Sequence, residues 1–219
     1  TPGLSPEQSF GYDGGIDQEL GNGRARIGLT YFHNQFTNGV EYVPQSALLA
    51  LGLPAASDPT VQYGAVINSE AFRAQGAEAE LEYKIGIHLF ARGGYTYLDA
   101  VVQRSFSSSS DPVYNTISNF STTPIGQYSP LVGARPFRRA PHSGYFGLNY
   151  ARSRWYGSFT GTLVGTRDDS TFLSDANFGA SLLLPNRNLD GAYQRLDLSG
   201  GYQLNHSLTA YTNIQNLLS

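Results

Sequence analysis

The chain has 219 residues, 40% of them hydrophobic and 14% charged, with a net charge of −3 at pH 7. This much apolar content excludes a disordered chain, and the slight acidity without a basic stripe excludes a nucleic-acid partner. With no cysteine, a disulfide framework and a thiolate metal site are excluded as well.

Ser9 to Leu20 alternates, with Tyr12, Gly14, Ile16 and Leu20 on one side and Asp13, Gly15, Asp17 and Glu19 on the other. Gly21-Asn22-Gly23 is a hairpin turn signal, because these residues accept positive φ. Arg24 to Tyr42 reads as a long strand with Ala25, Ile27, Leu29 and Tyr31 outward and Arg24, Arg26, Gly28 and Thr30 inward. Pro44 to Tyr63, with Pro44, Pro54 and Pro59, reads as a long loop. Phe72 to Val101 then forms a long hairpin turning at Lys84-Ile85-Gly86. One of its faces carries Ala77, Ala79, Leu81 and Tyr83; the other carries Glu78, Glu80 and Glu82. Three successive carboxylates on one row require water, since burying them unpaired is very costly.

Ser105 to Pro136 is rich in Ser, Thr, Pro and Asn and is longer than most loops of compact domains. Phe146, Leu148 and Tyr150 alternate with Tyr145, Gly147 and Asn149, and a turn near Arg152-Ser153 leads to Trp155, Phe159 and Leu163. A further loop is expected from about Arg167 to Asp190. The last hairpin sets Leu196, Leu198, Tyr202 and Leu204 against Arg195, Asp197 and Gln203, and turns at Asn205-His206-Ser207.

About eight strands result, joined alternately by tight turns and long loops. No apolar run reaches the ~20 residues of a membrane helix, but alternating barrel strands are invisible to that test. The fold class expected is all-β: an antiparallel up-and-down transmembrane barrel portion with short turns on one side and long loops on the other. A secreted β-sandwich or an independent eight-stranded membrane barrel with ligand-binding loops is the alternative. In a bilayer the outward aromatics Tyr31, Tyr83, Tyr95, Tyr97, Tyr150, Trp155 and Tyr202 should gather at two heights; in a sandwich core they should not.

Seven segments, in order, resemble the C-terminal part of the barrel of TonB-dependent outer-membrane receptors. They are Leu4-Ser5-Pro6-Glu7-Gln8-Ser9; Thr30 to Phe36 with Val40-Glu41-Tyr42; Asn68 with Gly76-Ala77-Glu78; Tyr95-Thr96-Tyr97-Leu98-Asp99-Ala100; Arg139-Ala140-Pro141-His142; Tyr193 to Asp197; and Asn213 to Leu217. The resemblance implies one partial barrel domain over residues 1–219, in the bacterial outer membrane and in contact with its lipid. It implies a fragment, with the plug domain, the energy-coupling box and the final aromatic-ended strand lying outside these residues. The whole receptor would import a scarce ligand such as a ferric siderophore or cobalamin, driven by the TonB complex acting through the plug, with no cofactor and no enzymatic step.

The resemblance also directs attention to the loops. Arg135, Arg138 and Arg139 stand where one loop rejoins the wall and are suited to gripping an anionic siderophore. Tyr114, Phe120 and Tyr128 could stack on a ring. Asp168 and Asp169 open the next loop; two carboxylates fall short of the ~6–8 oxygens calcium takes. The inward charges are expected to pair across strands. No nucleophile elbow or phosphate loop occurs, and the four histidines share no metal-ligand spacing.

Overall fold

The computed structural model describes residues 3–44, 48, 64–107, 131–171 and 184–218. Its main element is one eight-stranded antiparallel sheet in the order β1-β2-β3-β4-β5-β6-β9-β10. The strands are β1 (Gln8–Leu20), β2 (Ala25–Pro44), β3 (Gly64–Ile85), β4 (Leu89–Arg104), β5 (His142–Arg152), β6 (Trp155–Val164), β9 (Tyr193–Asn205) and β10 (Leu208–Ile214). A two-stranded ribbon, β7 (Arg167–Asp168) with β8 (Leu189–Asp190), stands apart from it. Every step in the main sheet is to the sequence neighbour, apart from the excursion through the ribbon. β2 and β3, at 20 and 22 residues, are far longer than the ~5–6 residues usual in soluble sheets.

The four tight turns lie at one end of the sheet. Gly21, Asn22 and Gly23 all have positive φ (61°, 56° and 76°), the geometry the Gly-Asn-Gly signal predicts. The β3–β4 turn occupies residues 86–88, two positions beyond the expected start, because Ile85 and Leu89 still pair and Gly86 takes the φ of 78°. Asn205 accepts the amide of Ser207 at 2.8 Å, so the Asn-His-Ser sequence serves as a turn. The long connections lie at the opposite end, called here the loop end. Beyond shifts of one to three residues at other strand ends, two differences from the expected boundaries are larger. β3 begins at Gly64, and the Arg167–Asp190 segment contains the β7–β8 ribbon where only loop was expected.

Register confirms the two faces. Ala25 pairs with Tyr83, Ile27 with Leu81, Leu29 with Ala79, and these continue into Ala91, Gly93 and Tyr95 of β4. The same apolar face runs on through Leu148, Phe159, Leu198 and Ile214. No second layer covers it among the described residues: Leu29 is 49% and Leu81 48% exposed. The sandwich alternative therefore fails. A closed eight-stranded barrel fails too, since β1 and β10 are the two edges and do not pair with each other.

The tyrosines and the tryptophan of the apolar face form two groups. Tyr83, Tyr150, Trp155 and Tyr202 lie near the tight turns; Tyr12, Tyr31, Tyr95 and Tyr97 lie toward the loop end. From Tyr150 to His142, which pairs with Tyr97, the strand covers about 27 Å. Aliphatic residues, glycines and the paired rings of Phe146 and Phe159 occupy the interval.

Glycines face rings across the sheet. Phe32 pairs with Gly76, Tyr145 with Gly94, Phe146 with Gly161 and Tyr156 with Gly201. At Gly76 a Cβ would lie 1.9 Å from the Tyr97 carbonyl oxygen and 2.8 Å from the Phe32 ring. Gly76→Ala is expected to cost about 1–3 kcal/mol by overpacking. Gly14→Ala, where nothing lies within 4 Å, should be near neutral in the same unfolding assay.

Candidate functional site

The opposite face starts, at the turn end, as a charged ladder. Glu19, Arg26, Glu82 and Arg92 stand in register on four successive strands, so charge alternates in sign across the row. Gly28 leaves space that lets Asp17 reach Arg26 at 3.0 Å, the absent Cβ lying 2.9 Å from an Asp17 oxygen. Arg195 pairs with Asp197 at 3.1 Å. That pair lies within one strand, so the expected cross-strand pairing of this face is met by Arg26 with Asp17, while Glu78, Glu80 and Glu82 make no ion pair among the described residues. Exposed pairs contribute only ~0–1 kcal/mol each, so the ladder's main effect is to keep this face wet.

Toward the loop end both faces change character. On the charged face, Phe32, Phe36, Phe72 and Leu98 replace the charges, and the rings of Phe36 and Phe72 stack at 4.3 Å between centroids. On the apolar face, a polar network replaces the aliphatic residues. His33 meets Gln75 at 3.3 Å, Gln75 donates to Asp99 at 3.1 Å, Arg73 pairs with Asp99 at 2.8 Å, and Gln35 donates to Gln103 at 2.7 Å. The polarity of the wall therefore inverts beyond Tyr31 and Tyr97. A single amphipathic rule applied along whole strands, as in the sequence reading, misses this.

The loop bases are tied by named groups. Glu41 is buried, and its carboxylate accepts the hydroxyls of Ser69 and Ser105 (the latter at 2.5 Å) and the amides of Phe106 (2.9 Å) and Ser107 (3.1 Å). Phe106 packs on Val43, Leu48 and Ala65. Glu70 lies nearby, on the part of β3 beyond the inversion. Burial first, and then the charges of Glu41 and Glu7, push its carboxyl above the ordinary carboxylate value. The folded protein then binds a proton more tightly than the unfolded chain. Stability from this group is greatest below the ordinary value of 4.5 and falls as pH rises through the raised one. Glu70→Gln is expected to flatten that decline in a denaturation series over pH.

Of the loop candidates, Arg138 pairs with Asp169 at 2.5 Å and donates its amide to the Asp168 carbonyl at 2.7 Å, strapping one loop to the next. Asp168 accepts the amides of Ser170 and Asn186 at 2.9 and 2.6 Å, so its carboxylate organises its own loop. Arg135 and Arg139 are different. Both are exposed, neither has an ion-pair partner among the described residues, and both line a hollow of about 510 Å³ with Thr166, Arg167, Asp168 and Asn186. Tyr114, Phe120 and Tyr128 lie outside the described residues. No group of three His, Asp or Glu side chains among the described residues could hold a metal ion. Phe36 and Phe72 were not singled out by sequence, because their stack exists only through the β2–β3 register.

The recognisable sequence segments prove to be clasps between strands. Asn68 bonds the backbone of Ser5 in both directions (2.7 and 2.8 Å), and Glu7 accepts the Val40 amide at 2.9 Å. The Tyr95 hydroxyl meets His142 Nδ1 at 2.6 Å, and the Leu98 amide donates to the Pro141 carbonyl at 2.8 Å. Asp197 accepts the Asn216 amide at 2.9 Å, where Asn216 turns with a φ of 56°.

No curated protein matches the chain. Among solved structures, P. aeruginosa FpvA bound to heterologous pyoverdines superposes with a TM-score of 0.64 at 17% identity, over 98% of this chain and 24% of that one. The siderophore receptor PiuA from Acinetobacter baumannii gives 0.63 at 14% identity, over 97% and 24%. The FrpB iron transporter from Neisseria meningitidis (F3-3 variant) gives 0.61 at 13% identity, over 99% and 28%. This chain thus spans about a quarter of each, and at such identities the similarity carries the fold. The family described as TonB dependent receptor-like, beta-barrel, matches residues 1–217. This chain belongs to the TonB-dependent receptor β-barrel family.

Proposed function

We propose that this sheet is part of the wall of a bacterial outer-membrane receptor that imports a ferric siderophore, its apolar face against lipid and its charged face against the aqueous lumen. The observation that carries the reading is the inversion of polarity near Tyr31 and Tyr97. Below it, hydrocarbon would meet Leu and Ile while charges line the water-filled side. Above it, where the wall leaves the bilayer, the outside becomes polar and the inside acquires an apolar aromatic patch. That patch, Phe32, Phe36, Phe72 and Leu98, offers surface to a ligand descending from the loops. Arg135 and Arg139, without an ion-pair partner among the described residues, attract an anionic chelate. The names of the similar solved structures, a siderophore receptor and an iron transporter among them, favour this ligand class over cobalamin. Energy would come from the TonB complex acting through a plug domain of the whole receptor.

The test is uptake of radiolabelled ferric siderophores by cells carrying the intact protein. Arg135→Ala with Arg139→Ala should weaken binding about tenfold or more, since a hydrogen bond to a charged group contributes ~1.5–3 kcal/mol. Uptake indifferent to both the protein and the two arginines would overturn the reading.

A further inference from the structure

On the apolar face, near the loop end, lies a trough of about 410 Å³ whose floor is Gly144, with Tyr95, Leu163 and Gln194 along its sides and His142 at its head. Register places all five on one face: Tyr95 pairs with Gly144, Gly144 with Leu163, Leu163 with Gln194, and His142 with Tyr97. The volume is in the range of small-ligand sites. Gly144 makes the trough by lacking a side chain, whereas the nearby Gly161 is roofed by the Phe146 ring. Polar groups gather at the loop end. The Tyr95 hydroxyl engages His142 Nδ1; in the tautomer where that hydroxyl donates, Nε2 carries the proton, a donor with no partner among the described residues. Gln194, in register with Leu163, adds an amide.

We propose that this trough holds one acyl chain of a membrane lipid, with the ester or amide carbonyl of that lipid at His142 Nε2 and Gln194. The inference rests on the lipid-facing reading above. The trough lies next to Leu196, Phe146 and Phe159 of the apolar face, so hydrocarbon is the medium beside it, and its polar end lies at the height where the wall turns polar. A chain lying on Gly144 fills a gap that packing otherwise leaves empty, and voids of this kind forfeit dispersion contacts.

The intact protein, purified in mild detergent, should retain one lipid per chain by native mass spectrometry. Leu163→Trp, which fills the trough from its side, should lower the retained fraction about tenfold; His142→Ala should lower it less. Leu81→Trp, on the same face away from the trough, should retain lipid as the wild type does. Equal retention by Leu163→Trp and Leu81→Trp would overturn the proposal, as would a wild type that retains none. A shift of oligomeric state in Leu163→Trp without lipid loss would assign the trough to a second copy and equally overturn it. Failure of the underlying reading is separate: a protein that stays monodisperse without detergent has no lipid face at all.

Discussion

Leu81→Arg and Leu198→Arg should each cost about 2–4 kcal/mol when the intact protein folds into bilayers, the range for a cation on the lipid face near the midplane. Leu81 pairs with Ile27 and Gly93, and Leu198 with Phe159 and Ile214, so each lies on the apolar face between the turn end and the loop end of its strand. Arginine there can reach water only by extending its side chain past the Tyr rows or by drawing a defect into the bilayer. A companion substitution sharpens the test. Glu80 is the immediate neighbour of Leu81 but projects from the opposite face, in register with Gly28 and Gly94. Glu80→Leu should change the folding free energy little, because a wetted wall tolerates an apolar side chain. Equal small effects at Leu81 and Glu80 would mean that the two faces meet the same medium, and the membrane orientation would be lost.

The faces were legible because a strand has period two and the chain keeps that period from Tyr12 to Tyr31 and again from Ala77 to Tyr97. Turns were legible where Gly and Asn mark them, as at Gly21-Asn22-Gly23. What could not be read follows from breaks in the period. Register shifts fall between Phe36 and Gly39 and between Gly39 and Val40, where Asn38 adopts a φ of 58°. Past them the alternation of β2 no longer reports a constant face, and the matching start of β3 at Gly64 has no apolar rhythm of its own. The candidate site suffered similarly. Arg135 and Arg139 could be named as candidates because they stand where a long loop rejoins the wall. Phe36 and Phe72 lie 36 positions apart and meet only in register, which no local pattern announces. Arg138 looked like its two neighbours in sequence, yet it is committed to Asp169.

Glu41 carries the other large expected effect. Its two oxygens accept four hydrogen bonds, from two hydroxyls and two backbone amides. In Glu41→Ala the hydroxyls of Ser69 and Ser105 can rotate toward other acceptors, but the amides of Phe106 and Ser107 are fixed by the backbone. The Ser107 amide keeps a second acceptor in Ser105 Oγ at 3.2 Å, so the Phe106 amide is the donor that loses its acceptor among the described residues, at a cost of ~1–3 kcal/mol. Glu41→Gln keeps one accepting oxygen, so a smaller loss of about 1 kcal/mol is expected. The change should be local before it is global. Phe106 packs on Val43, Leu48 and Ala65, and freeing residues 105–107 releases the ring from that cluster. Hydrogen exchange at Phe106 and Ser107 should therefore accelerate in both variants, while amides of β5 and β6 keep their wild-type protection. Unchanged exchange at those two residues in Glu41→Ala would show that the carboxylate is not what holds the loop to β2. Because the knot sits where the long connection after β4 leaves the wall, ligand binding offers a second readout. On the import reading proposed above, Glu41→Ala should also weaken ferric-siderophore binding, even though Glu41, being buried, is not placed to touch the ligand itself.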